Sequence, residues 1–256
     1  MPRQVVRRIV LVEYPKCGGS WVTSLLGDAL SLPKRDIYIG DGYSAFNVAT
    51  HPWYKGDASW NLTESCVIKS HELPDSALTQ RVHDEHTATL HMIRDGRDVV
   101  VSRYFFERDF CVRNGILPPL DMSFDAYLEK TAAEWRDYVI AWNGRADIEC
   151  RYESFLADPV GALTGALEGL GVTATPEAIA EAVARNTKER FAKSLDATFR
   201  HNTFVRVAKS GDWQNHFNAA HRDAFDRIAG DLLVRLGYAA ERRTENEEAL
   251  IGEPTR

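Results

Sequence analysis

One stretch constrains this chain more than any other: an apolar run that ends in a glycine turn and passes at once into helical spacing. Ile9-Val10-Leu11-Val12 is unbroken apolar, the pattern of a strand buried on both faces. Tyr14-Pro15-Lys16-Cys17-Gly18-Gly19-Ser20-Trp21 follows, and then Val22, Leu25, Leu26 and Leu30 recur at helical spacing. Strand, turn and helix in that order leave backbone N–H groups unpaired at a helix N-terminus, where an anion binds well. Gly18 and Gly19 carry no Cβ to obstruct a bound phosphate, and Lys16 adds a mobile positive charge. This is not a Walker A loop, in which the Lys follows the last Gly; here Lys16 precedes both glycines. The plain alternative is an ordinary strand–helix turn with a solvated Lys.

Further apolar runs end in polar residues, at the place where open α/β sheets bind ligands. Cys66-Val67-Ile68-Lys69 reads as a strand leading to Ser70-His71-Glu72, and a His can take a proton from a hydroxyl near neutral pH. Thr87 to Ile93 reads as another, running into Arg94-Asp95-Gly96-Arg97-Asp98 and a helix from Val99 to Phe106. Arg94 at that strand's end and Ser102 inside the helix can reach one anion, or Arg94 can pair with Asp95 or Asp98. Ile148 to Glu153 reads as a fourth strand with Tyr152 at its end. Helices are expected from Phe124 to Lys130, through the stripe Trp135, Tyr138, Val139 and Trp142, from Pro159 to Gly169, from Glu177 to Ala184, and from Ala219 to Leu236. Residues 36–61 are irregular and rich in aromatics, and form either an acceptor-pocket wall or a satellite core. Phe110 to Met122 reads as a connector.

The expected fold is α/β: a single three-layer domain, residues 1–240, with a central, mainly parallel sheet flanked by helices. Residues 241–256 read as a charged, flexible tail. A chain of 256 residues suits one such domain. A formal charge of −6 argues against nucleic acid as the main partner but permits a local basic cleft of Lys16, Lys69, Arg94, Arg97 and Arg206. Cys17, Cys66, Cys111 and Cys150 lie far apart without metal or redox spacing, which suits reduced thiols and a cytoplasmic location. Cys17 is a small filler of the loop or a reactive thiol. The four apolar residues before Glu13 are too few for a signal peptide or membrane span.

Together these stretches resemble the sulfotransferases that use 3′-phosphoadenosine-5′-phosphosulfate (PAPS) as donor. Residues 14–21 resemble that family's 5′-phosphosulfate loop, and Lys69-x-His71 its catalytic Lys-x-His. Arg94 and Ser102 stand eight apart, as in its 3′-phosphate-binding segment. Arg206 to Phe217 resembles the Arg-Lys-Gly-x-x-Gly-Asp-Trp-x-Asn-x-Phe loop that closes over the 3′-phosphate.

The resemblance runs from about residue 9 to 237 and implies specific roles. His71 is the general base, Lys16 neutralises charge growing by the 5′-phosphate, and Lys69 sits by the sulfuryl oxygens. Cys17, Gly18, Gly19, Ser20 and Trp21 line the phosphate, with Trp21 also stacking on adenine. Arg94, Ser102 and Arg206 bind the 3′-phosphate, helped by the Lys209, Ser210 and Gly211 loop. Tyr152 contacts the adenosine and Phe191 packs on the adenine. Lysines supply the charge that magnesium supplies in kinases, so no metal is expected. The implied acceptor is a small-molecule alcohol or phenol, with a carbohydrate or lipid-linked sugar as the alternative. A P-loop-type kinase and an inactive nucleotide-binding protein are the other classes.

Three departures from the family pattern stand out. Gly19 replaces a Thr or Ser, and Val207-Ala208 replaces Lys-Gly. Asn218-Ala219-Ala220-His221-Arg222 replaces the animal enzymes' dimer contact, so a monomer or a different homodimer is expected.

Overall fold

Residues 6–37, 64–187, 189–190, 193 and 209–240 are described by the structure, a computed structural model. The apolar run forms β1 (Arg8–Glu13), all six residues of which are buried. It is buried because it is central: the sheet order is β2-β3-β1-β4-β5, with β2 (Lys34–Ile37), β3 (Cys66–Ser70), β4 (Thr87–Ile93) and β5 (Ile148–Arg151). Every strand pair among the described residues is parallel. Val12 aligns with Ser70 on one side and His91 on the other, so three neighbouring strands end at one level. A parallel sheet needs helical crossovers. They are α1 (Gly19–Leu30), α2 (Ala77–Val82), α3 (Gly96–Phe105), α4 (Phe124–Trp142), α5 (Tyr152–Ala157), α6 (Pro159–Gly169), α7 (Pro176–Arg185) and α8 (Ala219–Arg235). The result is a single α/β domain, a central parallel sheet of five strands flanked by helices.

Four boundaries differ from expectation. Lys34–Ile37 pairs with β3 as a short edge strand, although its four residues show no apolar alternation. β5 stops at Arg151, and Tyr152 begins a helix instead of ending the strand. The connector after α3 begins as a π-helical turn, Phe106–Cys111, that buries Phe106, Phe110 and Cys111. The two expected pieces after Ser123 are one 19-residue helix, N-capped by the Ser123 hydroxyl. No helix among the described residues is long and apolar enough to cross a membrane.

The core lies between sheet and helices, with Trp135 and Trp142 of α4 fully buried. α3 starts close against Trp135: a Cβ on Gly96 would come within 2.5 Å of its ring. That packing fixes the end of β4 and therefore the backbone that presents Arg94. Asn218 and His221 form a capping box at the start of α8, which is what the segment lacking the dimer pattern does here. The tail, 241–256, lies outside the described residues.

Candidate functional site

The C-terminal ends of β3, β1 and β4 are adjacent, and the chain leaves β1 with a neighbour on either side. That is the switch-point crevice where doubly wound sheets bind ligands. The turn after β1 is tight: Cys17 N–H donates to the Tyr14 carbonyl at 3.3 Å. Lys16 has φ 79°, a left-handed conformation that a non-glycine residue adopts at about 1–3 kcal/mol. Gly18, at φ 98°, caps α1, and a Cβ there would also meet the Tyr152 ring at 2.5 Å. Gly18 is thus required twice, by its backbone angle and by Tyr152. Trp21 and Val22 N–H donate to the Gly18 carbonyl, at 3.0 and 3.2 Å. The Gly19 N–H donates to the Glu13 carboxylate at 2.6 Å. Among the described residues, the Gly18 and Ser20 amides have no such partner and can donate to an anion.

Basic groups converge on the turn. Lys69, at the end of β3, is buried, with its Nζ 3.9 Å from Glu13 Oε1. The Lys16 ammonium lies 3.9 Å over the Phe106 ring. Lys16 as a residue is only half-buried, yet desolvation of its ammonium draws its pKa down to about 7, with Lys69 and Arg94 pushing the same way. His71 is buried just past β3, and its Nδ1 lies 2.8 Å from the Glu13 main-chain oxygen. A carbonyl only accepts, so Nδ1 carries the hydrogen and Nε2 is the basic nitrogen. Desolvation, then the charges of Lys69 and Lys16, hold the His71 pKa well below its ordinary value. It is therefore a neutral imidazole, able to accept a proton.

At the other end, Arg94 is buried and spans two segments. It donates from Nη1 to the Lys16 carbonyl at 3.0 Å and from Nη2 to the Lys209 carbonyl at 3.3 Å. Its guanidinium lies 4.5 Å from the Tyr152 ring centroid. Arg94 Nε is buried without a partner among the described residues, an orphan donor that suits an anion's oxygen. Arg94 is thus neither on the surface nor ion-paired in the manner of the alternative reading; Asp95 pairs with Arg97 instead. Ser102 lies half-buried in α3. Lys209 and Ser210 are exposed, and Gly211 is half-buried at the start of a 3₁₀ turn. Trp21 stands edge-on to Tyr152 and Phe155, with centroids 6.3 and 6.4 Å apart, and its indole N–H donates to the Asn186 carbonyl. Phe191 and Arg206 lie outside the described residues, as do the aromatics of 38–60.

Two carboxylates were not singled out as site residues. Glu13 sits inside the anion turn, and the only signal for it was a carboxylate closing an apolar run. Asp98 accepts the Gly211 N–H at 2.7 Å and the Trp213 N–H at 2.9 Å, so it ties α3 to the Gly211 loop. From the sequence it was named only as a possible ion-pair partner of Arg94.

Fold and site together define an α/β protein with a basic crevice across the ends of three parallel strands. The chain matches the sulfotransferase domain family over residues 6–237, and it belongs to that family. Its class is that of the PAPS-dependent sulfotransferases. It is 24% identical to mouse Sulfotransferase 2A6, covering 88% of this chain and 84% of that one. It is 25% identical to a guinea-pig (Cavia porcellus) 3-alpha-hydroxysteroid sulfotransferase, covering 90% and 84%. Its fold superposes with TM-score 0.67 on retinol dehydratase crystallised with androsterone and the inactive cofactor PAP, at 17% identity, covering 95% and 84%.

Proposed function

We propose that this protein moves the sulfuryl group of PAPS to the hydroxyl of a small-molecule alcohol or phenol, by in-line displacement with His71 as general base. The supporting observation is the Arg94 guanidinium, which bridges the glycine turn and the Gly211 loop while keeping one N–H for a ligand. A nucleotide phosphorylated at both ends meets both segments at once. His71 Nε2 takes the acceptor's proton as its oxygen bonds to sulfur, and the bond from sulfur to the 5′-phosphate oxygen breaks, releasing 3′-phosphoadenosine-5′-phosphate (PAP). Lys16, Lys69 and the Gly18 and Ser20 amides offset the charge on the leaving side. The names of the steroid-sulfating relative and of the androsterone complex favour a flat apolar alcohol.

The test is binding and transfer in one series. PAP is expected to bind far more tightly than AMP, and Arg94→Ala to abolish the preference. Radiolabelled PAPS, offered with steroid alcohols, phenols and sugars, is expected to label an alcohol or phenol. His71→Ala is expected to slow that transfer by about 10² to 10⁴-fold while PAP still binds. Equal affinity for PAP and AMP overturns the donor assignment, and full activity without His71 removes it as the base.

A further inference from the structure

A carboxylate in the middle of an anion-binding turn needs a reason. Glu13 closes β1 and is 2% exposed. A buried carboxylate is tolerated only when paired and hydrogen-bonded. Here one oxygen accepts the Gly19 N–H at 2.6 Å, and the other lies 3.9 Å from Lys69 Nζ. Gly18 gives α1 no side-chain cap, so the carboxylate reaching over from the strand serves as one. The space it fills is specific: a Cβ on Gly19 would lie 2.5 Å from Oε1 and 2.8 Å from Oε2. Real Cβ atoms do not approach that closely. A side chain at 19 and a carboxylate at 13 exclude one another in this geometry.

We infer that Glu13 is a positioning residue of the donor site and that Gly19 is its obligate partner. The carboxylate stands where a side chain at 19 would otherwise pack. It orders the first turn of α1 and sets the Lys69 ammonium, while its main-chain oxygen orients His71. It acts through these groups and touches no reacting atom. The inference rests on the donor-site reading above.

A double-mutant cycle tests it, with PAP binding by calorimetry and PAPS turnover with the acceptor that wild type uses best. Gly19→Ser alone is expected to weaken PAP binding on the order of tenfold, because the new Cβ displaces the carboxylate. Adding Glu13→Ala makes room and is expected to recover most of that loss. PAP binding by Gly19→Ser equal to wild type overturns the inference. So does a double variant as weak as the two single losses multiplied. Should Gly19→Ser fail to fold, Glu13→Gln decides: its amide oxygen still accepts the Gly19 N–H, but Lys69 loses its charged partner. For that variant, kcat is expected to fall about tenfold while PAP binds no more weakly, and an unchanged kcat overturns the inference. Failure of the unaltered protein to bind PAP would instead remove the donor site itself, a result distinguishable from lost coupling between 13 and 19.

Discussion

His71 and Lys16 are both drawn toward their neutral forms, and the consequences can be read separately in pH. Burial, helped by Lys69 and Lys16, holds the His71 pKa well below 6.5 in the folded protein. The unfolded chain therefore binds the extra proton first as pH falls through 6.5, so the stability contributed by neutral His71 is present above that pH and lost below it. For the same reason the acid limb of kcat/KM is expected below pH 6.5 in the free enzyme, and a limb at or above 6.5 would contradict it. Lys16, at about 7, holds fewer protons than the unfolded chain between pH 7 and its ordinary value of 10.5, so its contribution to stability rises across that window. A phosphate beside it restores the charge. PAP binding near pH 8 is then expected to take up a proton, seen as a dependence of calorimetric heat on buffer ionisation enthalpy, and Lys16→Met to abolish that dependence. That Lys16, Lys69, His71 and Arg94 gather at neighbouring strand ends was legible, because each follows an apolar run. Glu13 was not, since its part depends on a side-chain contact across six residues that no spacing rule encodes.

Between elements, the first turn of α3 does more than begin a helix. Asp98 accepts two amides from the Gly211 loop, and Arg94, four residues earlier, holds that loop's Lys209 carbonyl. Burial raises the Asp98 pKa, against the pull of Arg94 and the two amides. Asp98→Asn keeps one acceptor oxygen and turns an N–H₂ toward the second backbone N–H, leaving a donor unsatisfied at about 1–3 kcal/mol. PAP affinity is expected to drop on the order of tenfold, while AMP, which lacks the 3′-phosphate, binds as before; calorimetry with both nucleotides checks it. At this scale the sequence was readable where periodicity was strong. The central strands and the helices from 96, 159, 176 and 219 stand close to expectation. Lys34–Ile37 did not reveal itself, because an edge strand of four residues is held by pairing with β3 and not by its own pattern. The helical turn at Phe106–Cys111 was hidden because the apolar residues there follow α3 out of its own register.

In the whole molecule, the site draws on residues from Glu13 to Tyr238. The last helix returns to the start of α3: the Tyr238 hydroxyl donates to Glu153 at 2.8 Å, and Arg97 donates to the Tyr238 carbonyl at 2.8 Å. Glu153 in turn accepts the Asp95 N–H at 3.1 Å, and Arg97 lies 4.1 Å over the Trp213 ring. The glycine turn and the Gly211 loop are therefore fastened to both ends of the fold, and on the proposed function a nucleotide joining them stabilises the chain globally. A ligand at 100 times its dissociation constant adds about 2.7 kcal/mol to a native state that alone binds it. For a domain of this size each kcal/mol moves Tm by about 2–4 °C. Saturating PAP is thus expected to raise Tm by roughly 5–10 °C, with AMP at the same concentration well below that. Arg94→Ala, which cuts the bridge between turn and loop, is expected to remove most of the difference between the two nucleotides. A PAP shift that survives this substitution intact would mean that the two segments grip the nucleotide independently, with Arg94 only a strut between them.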